Sequence, residues 1–345
     1  ATHCEHAVSW QPSRRARQQT ADRYSALPIQ PWRMGNALLY PAPEPSYHPL
    51  EYSGELLWVP RRSREPLQCG IPCLLLQRQH ATHLLLFFHA NAVDLGQTYI
   101  FLRHLRSMLG VHVMCMEYPG YGICSGLPTE QTLLDDADCV VECLEDQLAV
   151  PLERVLLMGQ SLGGGPAIYL ASKYSCAGLI TVATFTSIPA VAGSYTGILH
   201  YAGLAGWLVD VFDNASRIRS VRCQTLILHG SEDGLIGMEH AERLAAECGK
   251  DVVDSRPQPV LNIRQGVDHN NFDMRWDIIN IVQNTFPNLS AGDPLPTAAI
   301  EVALGQHPEK LAQDVITRVP YSPGWVPRNP AFGKIRFVNM DGSEV

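Results

Sequence analysis

The stretch that decides the fold is Val155-Leu-Leu-Met-Gly-Gln-Ser161-Leu-Gly-Gly-Gly165, a buried-strand pattern that runs through a glycine-rich turn into a helical pattern. A serine at a sharp strand-to-helix turn needs neighbours without side chains two positions away on each side, and Gly159 and Gly163 meet that need. The turn exposes the hydroxyl at the carboxyl edge of a sheet, beside a helix N-terminus. We therefore interpret Ser161 as a nucleophile, with a glycine-rich packing turn as the alternative.

Strand and helix patterns alternate from residue 51 onward, and they predict the class of fold. The clearest helix is 129–148, which has one apolar stripe and an acidic face typical of solvated surface. Strands that alternate with helices indicate right-handed crossovers. We expect an α/β fold with a mostly parallel central sheet and helices on both faces. The runs predicted as strands are 71–76, 84–88, 111–116, 155–158, 179–183, 225–228 and 260–263.

The chain divides by composition into three parts. Residues 1–50 are rich in arginine, glutamine and proline without a sustained hydrophobic period, and we expect a basic, proline-rich N-terminal extension. Residues 51–290 carry the strand and helix patterns and should form the catalytic domain. Residues 291–345 are again proline-rich, with one helical candidate at 307–315, and are expected to form a C-terminal extension.

The charge balance argues against nucleic acid as a partner. The 345 residues include 26 Lys and Arg against 34 Asp and Glu, a formal net charge of −8, whereas phosphate-backbone binding needs a basic surface. Hydrophobic residues make up 46% and charged residues 17%, so the chain has enough apolar surface to fold. The basic residues near its front are either solvated surface or a contact with an anionic membrane leaflet. They are Arg14, Arg15, Arg17, Arg61, Arg62 and Arg64.

Cysteine usage bears on the compartment. Ten cysteines are scattered through strand and helix patterns rather than spaced as a small disulfide framework, so most should be reduced core residues. No apolar run reaches the roughly 18 residues that span a bilayer. We therefore expect a cytoplasmic protein, with peripheral attachment to the cytoplasmic face of membranes as an open alternative. The sequence does not indicate an oligomeric state.

The nucleophile requires a base and an orienting acid, because a serine hydroxyl reacts poorly until its proton is taken. The expected chain order is Ser, Asp, His. Thr225-Leu-Ile-Leu-His-Gly-Ser-Glu-Asp233 is a strand followed by a turn, which places Asp233 near the elbow. Glu232 and Asp254 are the alternatives for the acid. His269 follows the next strand pattern and is the expected general base.

Two backbone N–H groups are expected to hold the oxyanion. Leu162 follows the nucleophile at the helix N-terminus, and its N–H is the first donor. The second should come from the loop after the third strand, where we choose the N–H of Asn91, with an ordinary strand-to-helix turn as the alternative.

No metal or other cofactor is indicated. His3, Cys4 and His6 resemble metal ligands but lie in the predicted extension. His89 and His229 fit structural roles in their loops.

With these residues placed, the chain resembles the eukaryotic α/β-hydrolase-domain serine hydrolases over about residues 43–286, especially subfamily seventeen, whose members are membrane-associated protein depalmitoylases. The family has glycine at the position of Ala90, and its cysteine-rich N-terminus is not seen here. The motifs that carry the resemblance are His89-Ala-Asn-Ala-Val-Asp-Leu-Gly96, Tyr118-Pro-Gly-Tyr-Gly122, Gly159-Gln-Ser-Leu-Gly163, His229-Gly-Ser-Glu-Asp233 and Asp268-His-Asn270.

The resemblance implies the α/β-hydrolase fold and hydrolysis of an acyl thioester or ester, with S-palmitoyl cysteine in proteins or a lipid-like molecule as substrate. Ile188 and Trp207, in an apolar stretch, are candidates for the wall of an acyl pocket, and Tyr121 is a third candidate near the nucleophile. Ordinary core packing is the alternative for these residues. A serine peptidase, a carboxylesterase and a non-catalytic binding module are the competing functions.

Overall fold

The computed structural model describes residues 39–62, 70–194, 212–253 and 255–305. It contains one sheet of eight strands in the order β1-β2-β4-β3-β5-β6-β7-β8. The strands are β1 (Leu56–Val59), β2 (Ile71–Leu76), β3 (Leu84–Phe88), β4 (His112–Met116), β5 (Val155–Gln160), β6 (Gly178–Val182), β7 (Gln224–Gly230) and β8 (Val260–Arg264).

Most of the sheet is parallel. The pairs from β4 through β8 are parallel, whereas β2 runs antiparallel to both β1 and β4. The seven predicted strands are confirmed, and β1 was not predicted. The α/β class with a mostly parallel sheet is therefore confirmed.

Helices cover both faces of the sheet. They are α1 (Leu95–Leu109), α2 (Glu130–Asp146), α3 (Gly164–Lys173), α4 (Ile188–Ser194), α5 (Asn214–Arg217), α6 (Glu239–Glu247), α7 (Asn280–Thr285) and α8 (Ala298–Gly305). Shorter turns of 3₁₀ helix are Pro49–Tyr52, Leu152–Arg154, Ser161–Gly163 and Ile218–Ser220, and a π-helical turn, Met274–Ile279, precedes α7.

The core consists of two apolar layers separated by the sheet. Side chains of a strand alternate between faces, so Leu84, Leu86 and Phe88 of β3 join one layer while Leu85 and Phe87 join the other. Helices α2 and α3 cover the first layer, and α1 and the Met274–Ile279 turn cover the second. Every residue of β3 is thus buried, as expected for a central parallel strand.

The segments beside the predicted domain boundaries also pack on the sheet. Tyr40 and Tyr47 are each 2% exposed and belong to the two core layers. At the other end, Leu295 and Ile300 join the first layer. The division at residues 50 and 290 stays a prediction, and the helical candidate at 307–315 lies outside the described residues.

Over the same described residues, no helix combines the length and the apolar character that crossing a bilayer requires.

Candidate active site

The turn around Ser161 is a sharp elbow between β5 and α3. Ser161 directly follows β5 and has φ of 52°, in the left-handed region of backbone conformation that residues other than glycine rarely adopt. A Cβ on Gly163 would lie 2.1 Å from the carbonyl oxygen of Phe88, and one on Gly159 would lie 2.2 Å from that of Gly163. Both positions therefore require glycine, as the sequence pattern predicted. The strain at Ser161 is held by backbone packed on both sides of the turn.

The side chains of Ser161, His269 and Asp233 form a continuous hydrogen-bonded chain. His269 Nδ1 lies 2.7 Å from Asp233 Oδ2, and His269 Nε2 lies 3.1 Å from Ser161 Oγ. Because a carboxylate only accepts, Nδ1 carries the proton and Nε2 is the acceptor that faces the serine hydroxyl. Each of the three residues is 8% exposed, so the hydrogen-bonded triad is almost entirely buried.

Asp233 is held by more donors than the histidine alone. Its Oδ1 accepts the backbone N–H groups of Leu235 at 2.9 Å and Ile236 at 2.8 Å. His229 Nε2 lies 3.4 Å from Oδ2. Burial on its own raises the pKa of Asp233, but the hydrogen bonds from His229, His269 and Ile236 outweigh it and hold that pKa well below the usual value. Asp233 is therefore ionised at neutral pH.

The loops after β7 and β8 are bonded to each other, which brings Asp233 and His269 together. The backbone N–H of Ser231 donates to Arg264 O at 2.9 Å, and that of Glu232 donates to Val267 O at 2.9 Å. The hydroxyl of Ser231 accepts the N–H of Gly266 at 3.0 Å. Parallel strands end at the same edge of a sheet, so adjacent loops are the natural source of two site residues.

Among the described residues, the carboxylate bonded to His269 is that of Asp233 and not that of a competing acid. The side chain of Glu232 is exposed, and Asp254 lies outside the described residues. Asp268, adjacent to His269, is exposed and accepts the backbone N–H of Asn270 at 2.8 Å.

The expected oxyanion donors belong to two different elements, since Asn91 lies in the loop between β3 and α1. Leu162 lies in the 3₁₀ turn that leads into α3. The side chain of Asn91 is occupied, since its Nδ2 donates to Leu39 O at 2.8 Å and its Oδ1 accepts the N–H of Ala92 at 3.0 Å. The predicted role of Asn91 therefore rests on its backbone N–H. The left-handed conformation of this loop falls on Ala92, with φ of 61°, and not on Ala90.

Tyr121 is placed differently from the expectation. Its side chain is fully buried, and its hydroxyl donates to Asn91 Oδ1 at 2.5 Å. A ring enclosed by protein on all sides has no face for a substrate, so the expectation that Tyr121 lines the pocket does not fit the structure. Ile188 starts α4 and packs half-buried against the first core layer. Trp207 lies outside the described residues.

A buried pair, His89 and Glu117, supports the loop that carries Asn91. His89 Nε2 lies 3.2 Å from Glu117 Oε1, and the His89 ring stacks on Tyr118 with centroids 3.8 Å apart. Glu117 Oε2 accepts the Tyr47 hydroxyl and the Leu95 N–H, both at 3.0 Å. Burial raises the pKa of Glu117, and the contact with His89 offsets this only in part. Sequence reasoning gave Glu117 no role.

Within the described part of the chain, no three or more His, Cys, Asp or Glu side chains come together in a way that could hold a metal ion.

Comparison with known proteins places the chain in a family. A family model described as the alpha/beta hydrolase fold matches residues 83–201. The chain is 30% identical over 240 residues to Alpha/beta hydrolase domain-containing protein aho-3 of Caenorhabditis elegans, covering 64% of this chain and 70% of that protein. It is 29% identical over 268 residues to Alpha/beta hydrolase domain-containing protein 17B of Homo sapiens, covering 72% and 88%.

Solved structures agree on the fold. Est1E from Butyrivibrio proteoclasticus superposes with a TM-score of 0.52 at 14% identity, over 69% of this chain and all of that one (100%). A protein described as a putative hydrolase from Agrobacterium vitis S4 gives a TM-score of 0.51 at 16% identity, over 68% and 98%. By its match to the family model and to aho-3, the chain belongs to the alpha/beta hydrolase domain-containing family and is a hydrolase.

Proposed function

We propose that the chain is a serine hydrolase that cleaves acyl thioesters or esters through an acyl-enzyme at Ser161, with S-palmitoyl proteins or a lipid-like molecule as substrate. The observation that carries this proposal is the chain of hydrogen bonds from Ser161 Oγ through His269 to Asp233, at 3.1 and 2.7 Å. These three side chains supply what acyl transfer needs: a nucleophile, a base with a free acceptor nitrogen, and a charged acid that fixes the tautomer of the base.

In the first half of the reaction, Ser161 Oγ attacks the acyl carbonyl carbon and His269 Nε2 takes the hydroxyl proton. Asp233, ionised and held by four donors, stabilises the imidazolium that forms. The backbone N–H groups of Leu162 and Asn91 hold the oxyanion of the tetrahedral intermediate. The intermediate collapses as the thiol or alcohol leaves with a proton from His269, and the acyl group stays on Ser161.

The second half releases the acyl group. Water attacks the acyl-enzyme while His269 Nε2 takes its proton, and collapse of the second tetrahedral intermediate returns that proton to Ser161. The products are a carboxylic acid and the free thiol or alcohol.

An acyl substrate is supported by apolar side chains on the loop that carries the acid. Leu235 and Met238, which follow Asp233, are 49% and 42% exposed. Trp276, beyond His269, is 64% exposed. Exposed apolar groups that follow the catalytic acid and base along the chain favour a fatty chain over a polar peptide. The resemblance to depalmitoylases supports the thioester, and contact with the cytoplasmic face of a membrane would bring such substrates to the enzyme.

Labelling with a fluorophosphonate probe tests the nucleophile. We expect wild type to be labelled and Ser161→Ala to be unlabelled, with both folded by circular dichroism. Labelling that survives in Ser161→Ala, or a folded wild type that is not labelled, would reject the mechanism; the latter result would favour a binding module.

A substrate panel then tests the class of bond. Palmitoyl-cysteine peptides, p-nitrophenyl esters of increasing chain length and peptide amides are compared by kcat/KM. We expect long-chain thioesters to rank first. Amide turnover without thioester turnover would make the chain a peptidase, and a preference for short esters would make it a carboxylesterase.

A further inference from the structure

Two cysteines differ from the other cysteines that the structure describes. Cys176 and Cys223 are half-buried, whereas the other six thiols are buried. The sulfur atoms of Cys176 and Cys223 lie 3.4 Å apart, although the residues are 47 positions apart in the chain. The buried six are Cys73, Cys115, Cys124, Cys139, Cys143 and Cys248.

The sheet brings these two thiols together. Cys176 lies two residues before β6 and Cys223 lies directly before β7, and these strands are parallel neighbours with Gly178 paired to Gln224. A disulfide brings two sulfur atoms to about 2.05 Å, so the pair can be bridged from 3.4 Å with small side-chain rotations. The pair lies where β6 and β7 begin, whereas Asp233 follows the other end of β7. The pair therefore lies at the end of the sheet where these strands begin, and the site around Ser161 lies at the end where they finish.

A cavity of about 190 Å³ lies beside the pair. Its wall includes Arg222 and the hydroxyl-bearing Ser172, Ser175 and Ser220, besides both cysteines. A guanidinium and several hydroxyl groups suit the carboxylates and amides of a small peptide thiol. Both cysteines line the cavity, so a low-molecular-weight disulfide can reach them from it.

We propose that Cys176 and Cys223 form a thiol-modification site, at which a small disulfide such as glutathione disulfide converts the two thiols into an intramolecular disulfide. A thiolate of the pair attacks one sulfur of glutathione disulfide, which forms a mixed disulfide and releases one glutathione thiolate. The second cysteine then attacks the protein sulfur of the mixed disulfide and releases the second glutathione. The two protein thiols lose two electrons and two protons, and one glutathione disulfide becomes two glutathione molecules.

Either thiol can supply the first attack, because both cysteines line the cavity and their sulfur atoms lie 3.4 Å apart. In Cys223→Ser, the mixed disulfide on Cys176 has no resolving partner and accumulates.

The test uses the full chain with Cys4→Ser and Cys69→Ser, because these two thiols lie outside the described residues and could react on their own. The protein is incubated with glutathione disulfide and its peptides are mapped by mass spectrometry. We expect one cross-linked peptide pair joining Cys176 to Cys223, and loss of two free thiols per chain. We also expect Cys223→Ser and Cys176→Ser each to gain one glutathione on the remaining cysteine of the pair and to form no cross-link.

Stability provides a second readout. The disulfide would close a loop of 47 positions, and cross-links of this kind raise Tm by about 5–10 °C in a domain of this size. The rise should be reversed by dithiothreitol and absent in both serine variants. Separate glutathione adducts on the two cysteines, a cross-link to another cysteine, or no cross-link in folded protein would overturn the proposal. None of these outcomes depends on the activity of Ser161.

Discussion

His229 Nε2 lies 3.4 Å from Asp233 Oδ2, the same oxygen that accepts the hydrogen bond from His269. The His229 ring is fully buried, and Nε2 also lies 2.7 Å from the carbonyl oxygen of Ile236. Among the described residues, His229 Nδ1 has no hydrogen-bond partner. His229 therefore donates at Nε2, and it ties the end of β7 to the loop that carries Asp233.

Removing this donor should impair the reaction without preventing binding. We expect His229→Phe, which keeps an aromatic ring, to lower kcat/KM about tenfold or more through kcat, because loss of a buried hydrogen bond to a charged group costs about 1.5–3 kcal/mol. His229→Gln can place an amide N–H near the position of Nε2 and should recover much of the loss. Equal activities of the two variants in steady-state assays would show that the donor has no positioning role.

The choice between the two neighbouring acids gives a second prediction. Asp233→Asn leaves the loop in place but offers a donor where His269 needs an acceptor, so we expect kcat to fall by about 10⁴. Glu232→Gln changes an exposed side chain and should leave kcat within twofold. A large loss of kcat in Glu232→Gln, together with an active Asp233→Asn, would mean that Glu232 and not Asp233 is the catalytic acid.

The strands could be predicted where a buried strand has a continuous apolar sequence. The order of the strands in the sheet could not be predicted. Strand β3 is buried at every position and was predicted in full. Strand β1 has only four residues, too few for a period, and it lies at an edge. The placement of β4 between β2 and β3 depends on packing between distant segments, which no local pattern encodes.

The site shows the same limit. Ser161 could be found because the elbow needs glycine on both sides, and Asp233 and His269 because each follows a strand. The burial of Tyr121 was missed, since whether its ring faces the core or a pocket depends on how the segment packs against the loop of Asn91. A structural role of His229 in its loop was expected, but its contact with Asp233 was not, although the spacing of four residues was visible.

The hydroxyl of Tyr121 gives a third prediction. It holds Asn91 Oδ1 at 2.5 Å, so Tyr121→Phe should loosen the loop of an expected oxyanion donor. We expect kcat to fall roughly 5- to 10-fold with little change in KM, as loss of one hydrogen bond of about 1 kcal/mol implies. Tyr99→Phe is the control, because Tyr99 bonds Glu55 at 2.6 Å elsewhere in the fold. An unchanged kcat in Tyr121→Phe would show that this hydrogen bond does not contribute to the reaction rate.

The elbow gives a fourth prediction, about stability. A Cβ on Gly163 would lie 2.1 Å from Phe88 O, whereas a Cβ on Gly234 would meet nothing within 4 Å. We expect Gly163→Ala to lower the free energy of unfolding by about 3 kcal/mol or more and Gly234→Ala to change it by about 0.5 kcal/mol or less. Urea denaturation of both variants measures the difference. Equal stabilities would mean that the elbow can relax around an added methyl group.

Burial of Glu117 gives a fifth prediction, about pH. Its pKa is raised in the folded protein, so between the unfolded value of 4.5 and the raised folded value, the folded state binds more protons than the unfolded chain. The free energy of unfolding contributed by this group is therefore greatest at low pH and is lost as pH rises through the folded pKa.

Glutamine does not titrate, so Glu117→Gln removes this dependence. Relative to wild type, we expect the variant to gain unfolding free energy as pH rises from 4.5 to 8, because the raised pKa of Glu117 makes its ionisation costly only in the folded wild type. Glu145→Gln, at an exposed position, controls for the loss of one negative charge. Urea denaturation across the pH range measures both. The difference in unfolding free energy between Glu117→Gln and wild type could instead stay constant, or change in favour of wild type, as pH rises. Either result would mean that the His89 contact keeps this carboxyl ionised despite its burial.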